Sequence, residues 1–164
     1  MVVRIGKIGG TFGSFASASF AVPEFLARPL VARISTGANV VRPVWFLWEQ
    51  DSFWVLIGPW SRLGDRLARD PLFELVVDDC DLATGSVRQV IARGRGTVER
   101  FDVERGRRKL RRYLGSDEER WDVRFSLDGD PNERGTRWAH LAPDTMWIAD
   151  LSFVPASTPA GRGR

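Results

Sequence analysis

From residue 30 onward the apolar pattern changes character about every 8 to 12 positions, the spacing of short strands joined by turns rather than of long helices. A chain patterned this way buries its apolar faces by closing a sheet into a small barrel or by stacking two sheets. Leu30–Thr36 alternates apolar and polar residues and stops at Gly37, and Val40–Trp48 follows as the second arm of a hairpin. Phe53–Ile57, closed by Gly58-Pro59, reads as a third strand and Leu72–Val77 as a fourth. Val87–Phe101 is long enough to bend, with Gly94-Arg95-Gly96 as a bulge at a barrel corner. Thr136–Leu141 and Thr145–Phe153 read as two closing strands.

Helices are short in this reading. Pro23–Arg28 carries proline in its first turn, and residues 62–69 follow Ser61 as a cap, with Leu63 and Leu67 on one face. Val103–Leu114 ends at Gly115, with Val103, Leu110 and Leu114 as its apolar stripe, and Glu118–Leu127 is a further candidate. The expected fold is mainly β, with six or seven antiparallel strands and peripheral helices. At 164 residues one core suffices, so residues 22–154 form a single domain between a flexible arm (1–21) and a polar tail (155–164).

The rare residues narrow the chemistry. One cysteine (Cys80, read as lying in the acidic turn Asp78-Asp-Cys-Asp81) and one histidine (His140) cannot build a disulfide, a structural zinc site or a histidine metal triad. No phosphate loop or dinucleotide fingerprint is present. No apolar run approaches the roughly 18 residues of a membrane span, and Gly9–Ser14 interrupts any secretory core, so the expected setting is cytoplasmic, without membrane contact. Chemistry in such a chain falls to an organic cofactor acting on a small molecule.

The segment 30–71 holds what an anionic, aromatic cofactor needs. Arg33, Ser35 and Thr36 share one strand, Trp45, Phe46 and Trp48 the next, and a Gly-Pro-Trp-Ser-Arg turn leads into a helix. Each piece has a plainer reading, the tryptophans as core and Ser61 as a cap. In order and spacing, Ala32-Arg-Ile-Ser-Thr36, Pro43-Val-Trp-Phe46, Gly58-Pro-Trp-Ser-Arg62 and Asp70-Pro71 resemble the pyridoxamine 5'-phosphate oxidase-like, flavin-binding split β-barrel family. The likeness is good over roughly residues 24–101 and loose beyond.

The resemblance implies a homodimer of split β-barrels with flavin mononucleotide (FMN) at the interface. Arg33, Ser35 and Thr36 would meet the flavin or its phosphate, Val44, Trp45 and Phe46 would lie along the ring, and Gly58, Pro59, Trp60, Ser61 and Arg62 would wrap the phosphate. Where the family often carries lysine and asparagine before Asp-Pro, this chain has Leu63 and Arg66, so phosphate charge falls to Arg62 or Arg66. The same fold hosts deazaflavin (coenzyme F420) reductases and non-catalytic flavin- or heme-binding proteins, which stand as alternatives. Trp138 and Trp147 would cover the ring from a partner subunit or pack in the core.

The chain has 22 arginines but two lysines, Lys7 and Lys109, against 21 acids, for a net charge of +3. The densest basic run, residues 105–112, spreads around a helix and reads as a solvated face rather than a nucleic-acid site, since no groove-reading motif accompanies it.

Overall fold

The structure, a computed structural model, describes residues 1–6, 11–37 and 40–155. Its strands are β1 (Val2–Ile5), β2 (Thr11–Gly13), β3 (Val31–Thr36), β4 (Val40–Glu49), β5 (Ser52–Ile57), β6 (Leu72–Asp81), β7 (Ser86–Arg100) and β8 (Arg137–Asp150). The α-helices are α1 (Val22–Ala27), α2 (Leu63–Arg69) and α3 (Val103–Leu114). One sheet runs β2-β1-β8-β5-β4-β3-β6-β7, and β7 also pairs with β8. That pairing closes β3 to β8 into a six-stranded antiparallel barrel, as the alternating pattern anticipates.

Inward-facing residues at every second position fill the barrel, among them Ala32 and Ile34 of β3, Phe73, Leu75 and Val77 of β6, and Val90 and Ala92 of β7. Helix α1 adds Val22, Phe25 and Leu26, and α2 adds Leu63 and Leu67, the pair expected from their i, i+4 spacing. A second, smaller cluster lies outside the barrel wall. There Leu47, Trp54 and Trp138 pack with Phe101 beneath the start of α3, and Phe101 stacks on Trp138 at 5.5 Å.

The expected bulge is present: the β7–β8 register shifts between Arg93 and Gly94. A Cβ at Gly94 would lie 2.0 Å from the Ala142 carbonyl oxygen, so only glycine permits this approach. Opposite it, Pro143 pairs with Gly94 inside a continuous β8, which replaces the two expected closing strands. The irregular register takes in the residue that lacks an N–H, so the proline does not end the strand.

Three other expectations are corrected. Residues 118–127 form two 3-10 turns, Glu118–Arg120 and Val123–Phe125, in place of a helix. Cys80 lies within β6, which runs on to Asp81, instead of in a turn. Part of the expected arm is sheet: β1 runs parallel to β8, pairing Val2–Ile5 with Thr145–Ile148, and β2 pairs with β1. The cause is an open edge, because β5 covers β8 only from Arg137 to Leu141. The tail expected at 155–164 lies outside the described residues beyond Pro155, and Lys7 lies outside them as well.

No helix among the described residues is long and apolar enough to cross a membrane.

Candidate functional site

The barrel is split between β4 and β5. Residues 46–49 of β4 pair with β5, whereas residues 40–45 pair only with β3. Pro43 belongs to this unpaired half, where its missing N–H costs no ladder bond. On the other side of the split, Leu56 and Ile57 pair with β8 alone. A cavity of about 950 Å³ opens between them, at the large end of the range for small-molecule sites.

Its wall has three sources. The free half of β4 supplies Val40, Arg42, Val44 and Trp45; the turn and first residues of α2 supply Trp60, Ser61, Arg62 and Arg66; α3 and the segment after it supply Lys109, Arg124, Phe125 and Arg134. Six lining residues are cations and none is a carboxylate, in a chain whose acids nearly match its bases. Among the described residues the side chains of Arg42, Arg62, Arg66 and Lys109 have no hydrogen-bond or ion-pair partner, while Arg124 pairs with Asp122. Unpaired cations around a concave, partly aromatic surface suit an anion with a planar body.

Of the twelve residues singled out from the sequence, Thr36, Val44, Trp45, Trp60, Ser61, Arg62 and Arg66 line this cavity. Arg33 and Ser35 do not. Strand alternation puts them on the opposite face of β3 from Ile34 and Thr36; Arg33 forms an ion pair with Asp78, and Ser35 lines a separate hollow beside Glu74 and Arg93. Phe46 is wholly buried in the barrel core, edge-on to Phe53. Gly58 and Pro59 shape the turn from behind. The Gly58 carbonyl accepts from the Ser61 amide at 2.8 Å, and the Trp60 ring lies so close over Gly58 that a Cβ there would meet it at 2.3 Å. The helix begins one residue later than expected, with Arg62 at the N-cap position, so Ser61 stands just before it, its hydroxyl accepting from the Leu63 amide at 3.3 Å.

Trp138 is fully buried in the second cluster, and the Trp147 indole donates to the Gly6 carbonyl at 2.8 Å. Neither lines the cavity. His140 is also elsewhere, stacked on Trp54 at 4.1 Å with Nδ1 2.9 Å from Glu99.

Sequence reasoning missed Arg42, Lys109, Arg124, Phe125 and Arg134. Helix α3 is the instructive case. Of the expected stripe, Leu110 is buried and Val103 packs partly buried against the second cluster, but the inward face of the helix also takes in Gly106 and Lys109. Its arginines are largely neutralised: Arg105 and Arg108 pair with Glu49, and Arg107 and Arg111 with Glu118. Arg112 donates to the carbonyls of Leu26 and Arg28 at the end of α1. Lys109 remains, 4% exposed. Burial pushes its ammonium down to about 7, and Arg112 adds to the effect.

No protein-family profile and no curated protein sequence matches the chain. Solved structures do. The conserved hypothetical protein Rv2991 from Mycobacterium tuberculosis aligns with a TM-score of 0.63 at 16% identity, covering 86% of this chain and 91% of that one. The flavocytochrome Anf3 from Azotobacter vinelandii aligns with a TM-score of 0.63 at 17% identity, covering 84% and 69%. A proposed pyridoxamine 5'-phosphate oxidase from Listeria innocua gives 0.51 at 12% identity, covering 73% and 87%. At these identities the likeness speaks for architecture alone: the six-stranded split β-barrel of this chain is similar in fold to the flavocytochrome and to the proposed pyridoxamine 5'-phosphate oxidase.

Proposed function

We propose that the cavity at the split binds a flavin, FMN in the first instance, and that the protein is an oxidoreductase acting on a small molecule. The observation that carries this reading is the lining: six cations, no carboxylate, and an aromatic wall that includes Trp45 and Phe125. Those residues fit the group, since a flavin nucleotide joins a planar ring to an anionic phosphate. The flavocytochrome among the structural neighbours supports the same ligand class.

In this reading Arg62 and Arg66 hold the phosphate, and Thr36 and Ser61 offer hydroxyls to polar atoms of the ligand. Trp45 and Phe125, stacked on each other, form one aromatic wall against the planar part and exclude water from that side. The flavin, when bound, supplies the hydride-accepting chemistry. The chain's own contribution is orientation, charge complementarity and desolvation. The surplus of cations over one phosphate also favours the deazaflavin F420, whose acidic tail would engage Arg124 and Arg134. Val41 and Trp60, 63% and 67% exposed beside the cavity, support a homodimer that covers its mouth.

Titration of the purified protein with FMN, riboflavin and F420, followed by flavin fluorescence and visible absorption, tests the ligand. Saturable binding of FMN or F420, followed by bleaching with a nicotinamide reductant and recovery with an acceptor, supports an oxidoreductase. Binding without turnover leaves a flavin carrier, a Soret band in the purified protein indicates heme, and no binding of either cofactor removes the proposal.

A further inference from the structure

Helix α3 carries six cations, and five of them are satisfied by protein. Arg105, Arg107, Arg108 and Arg111 meet carboxylates, and Arg112 meets main-chain carbonyls. Lys109 is buried like a core residue, yet no protein group among the described residues accepts its protons. Among the described residues it is the only charged one that is buried, and it lines the cavity. The ammonium itself is not sealed in the core, since the fully buried side-chain polar atom without a partner among the described residues is Arg88 Nε. Lys109 is buried along its stem and ends at the cavity with its charge unmet by protein, where an anionic ligand would meet it.

We propose that Lys109 is the deep anchor of the ligand, donating from its ammonium to an oxyanion that enters the cavity. This deepens the reading of the cavity as a ligand site and rests on it, though not on the ligand being a flavin. The chemical class is a phosphate or comparable oxyanion. The position at which the resembling family carries lysine is Leu63, whose side chain is apolar and lines the same cavity. The amine therefore comes from a different element, α3 instead of α2.

Arg112, on the same helix, is the charged group that acts on Lys109, and it disfavours the ammonium. The cavity that Lys109 shares with Arg42, Arg62, Arg66, Arg124 and Arg134 has no carboxylate in its lining to offset this. An ammonium already lowered to about 7 gains its proton as the anion arrives. Binding is thereby coupled to proton uptake above neutral pH.

The composition makes this directly readable. The chain has two lysines, Lys7 and Lys109, so lysine-selective ¹³C labelling gives two side-chain Cε signals, which Lys109→Arg assigns. In the ligand-free protein the Lys109 signal is expected to titrate near 7, and saturating FMN or inorganic pyrophosphate to raise its midpoint by about one unit or more. Riboflavin, lacking phosphate, raises it less. Lys109→Met weakens FMN at least about tenfold more than riboflavin, and Lys109→Arg restores much of the affinity without proton uptake. If FMN binds, by fluorescence quenching, while the Lys109 signal keeps its midpoint, the anchor is overturned and the flavin reading stands. Should pyrophosphate shift the signal while neither FMN nor F420 binds, the flavin reading fails and the anchor stands. No shift with any of the three probes overturns the anchor.

Discussion

The indole of Trp45 lies parallel to the ring of Tyr113, with centroids 4.6 Å apart and planes 6° apart. Phe125 also stacks on Trp45, at 5.7 Å. This stack joins the free half of β4 to α3 and to the segment after it, the three elements that enclose the cavity. The phenol also fixes the backbone, donating to the Leu30 carbonyl at 2.6 Å and accepting from the Phe46 amide at 3.1 Å.

Tyr113→Phe keeps the stack and removes the hydroxyl. It is expected to cost about 1–3 kcal/mol, because two main-chain groups lose their side-chain partner. Urea denaturation measures the loss. Tyr113→Ala removes the ring as well and is expected to cost more.

Gly94→Ala is expected to destabilise by more than about 3 kcal/mol, since the new methyl meets the Ala142 carbonyl and the backbone at Pro143 instead of a movable side chain. Thermal unfolding or soluble yield reads the effect. A variant as stable as the parent would show that the bulge relaxes.

The hydrogen bond from Arg108, with that from Arg105, holds the Glu49 carboxyl below the usual carboxylate range despite the burial that raises it. The folded state therefore binds this proton less tightly than the unfolded chain. Its stabilisation is complete above the ordinary value of 4.5 and is lost as pH falls through the lower folded value. Glu49→Gln is expected to cost roughly 1 kcal/mol at neutral pH. The gap to the parent closes in acid, as denaturation midpoints at several pH values would show.

For Lys109 the sign is reversed. Its folded value, about 7, lies below the ordinary 10.5, so burial penalises the charged form. That penalty is complete below the folded value and relieved as pH rises toward the unfolded one. Lys109→Met is expected to stabilise the ligand-free protein at neutral pH by roughly 1–4 kcal/mol, a gain that fades at alkaline pH.

Arg62→Ala and Arg66→Ala are expected to weaken FMN about tenfold or more while affecting riboflavin less, as loss of a charge-assisted contact to phosphate would. Equal losses for both ligands in a fluorescence titration would place the phosphate elsewhere.

What could be read in advance was local. The β3–β4 hairpin, the Leu63/Leu67 face of α2 and the bulge at Gly94 follow from periodicity and glycine placement within a few residues. Motif order located the strands of the site but not their faces, which is why Arg33 and Ser35 fall opposite Thr36. Lys109 was hidden because a run of cations looks solvated on any side of a helix. Its burial is set by packing of α3 on distant strands, and the only local trace is the spacing of Gly106, Lys109, Leu110 and Tyr113. Pro143 misled for the opposite reason, since the partner that tolerates it, Gly94, is remote in the chain.

The part played by β8 has a consequence for folding during synthesis. It pairs with β5, β7 and β1, and it is the last of the eight strands to leave the ribosome. Until residues 137–150 emerge, β5 lacks its neighbour on the β8 side, β7 lacks one edge partner, and β1 has no docking strand. The nascent chain therefore cannot close its barrel strand by strand. Closure is a single late event, with exposed edges before it, and a chain cut short of Arg137 is expected to associate through them.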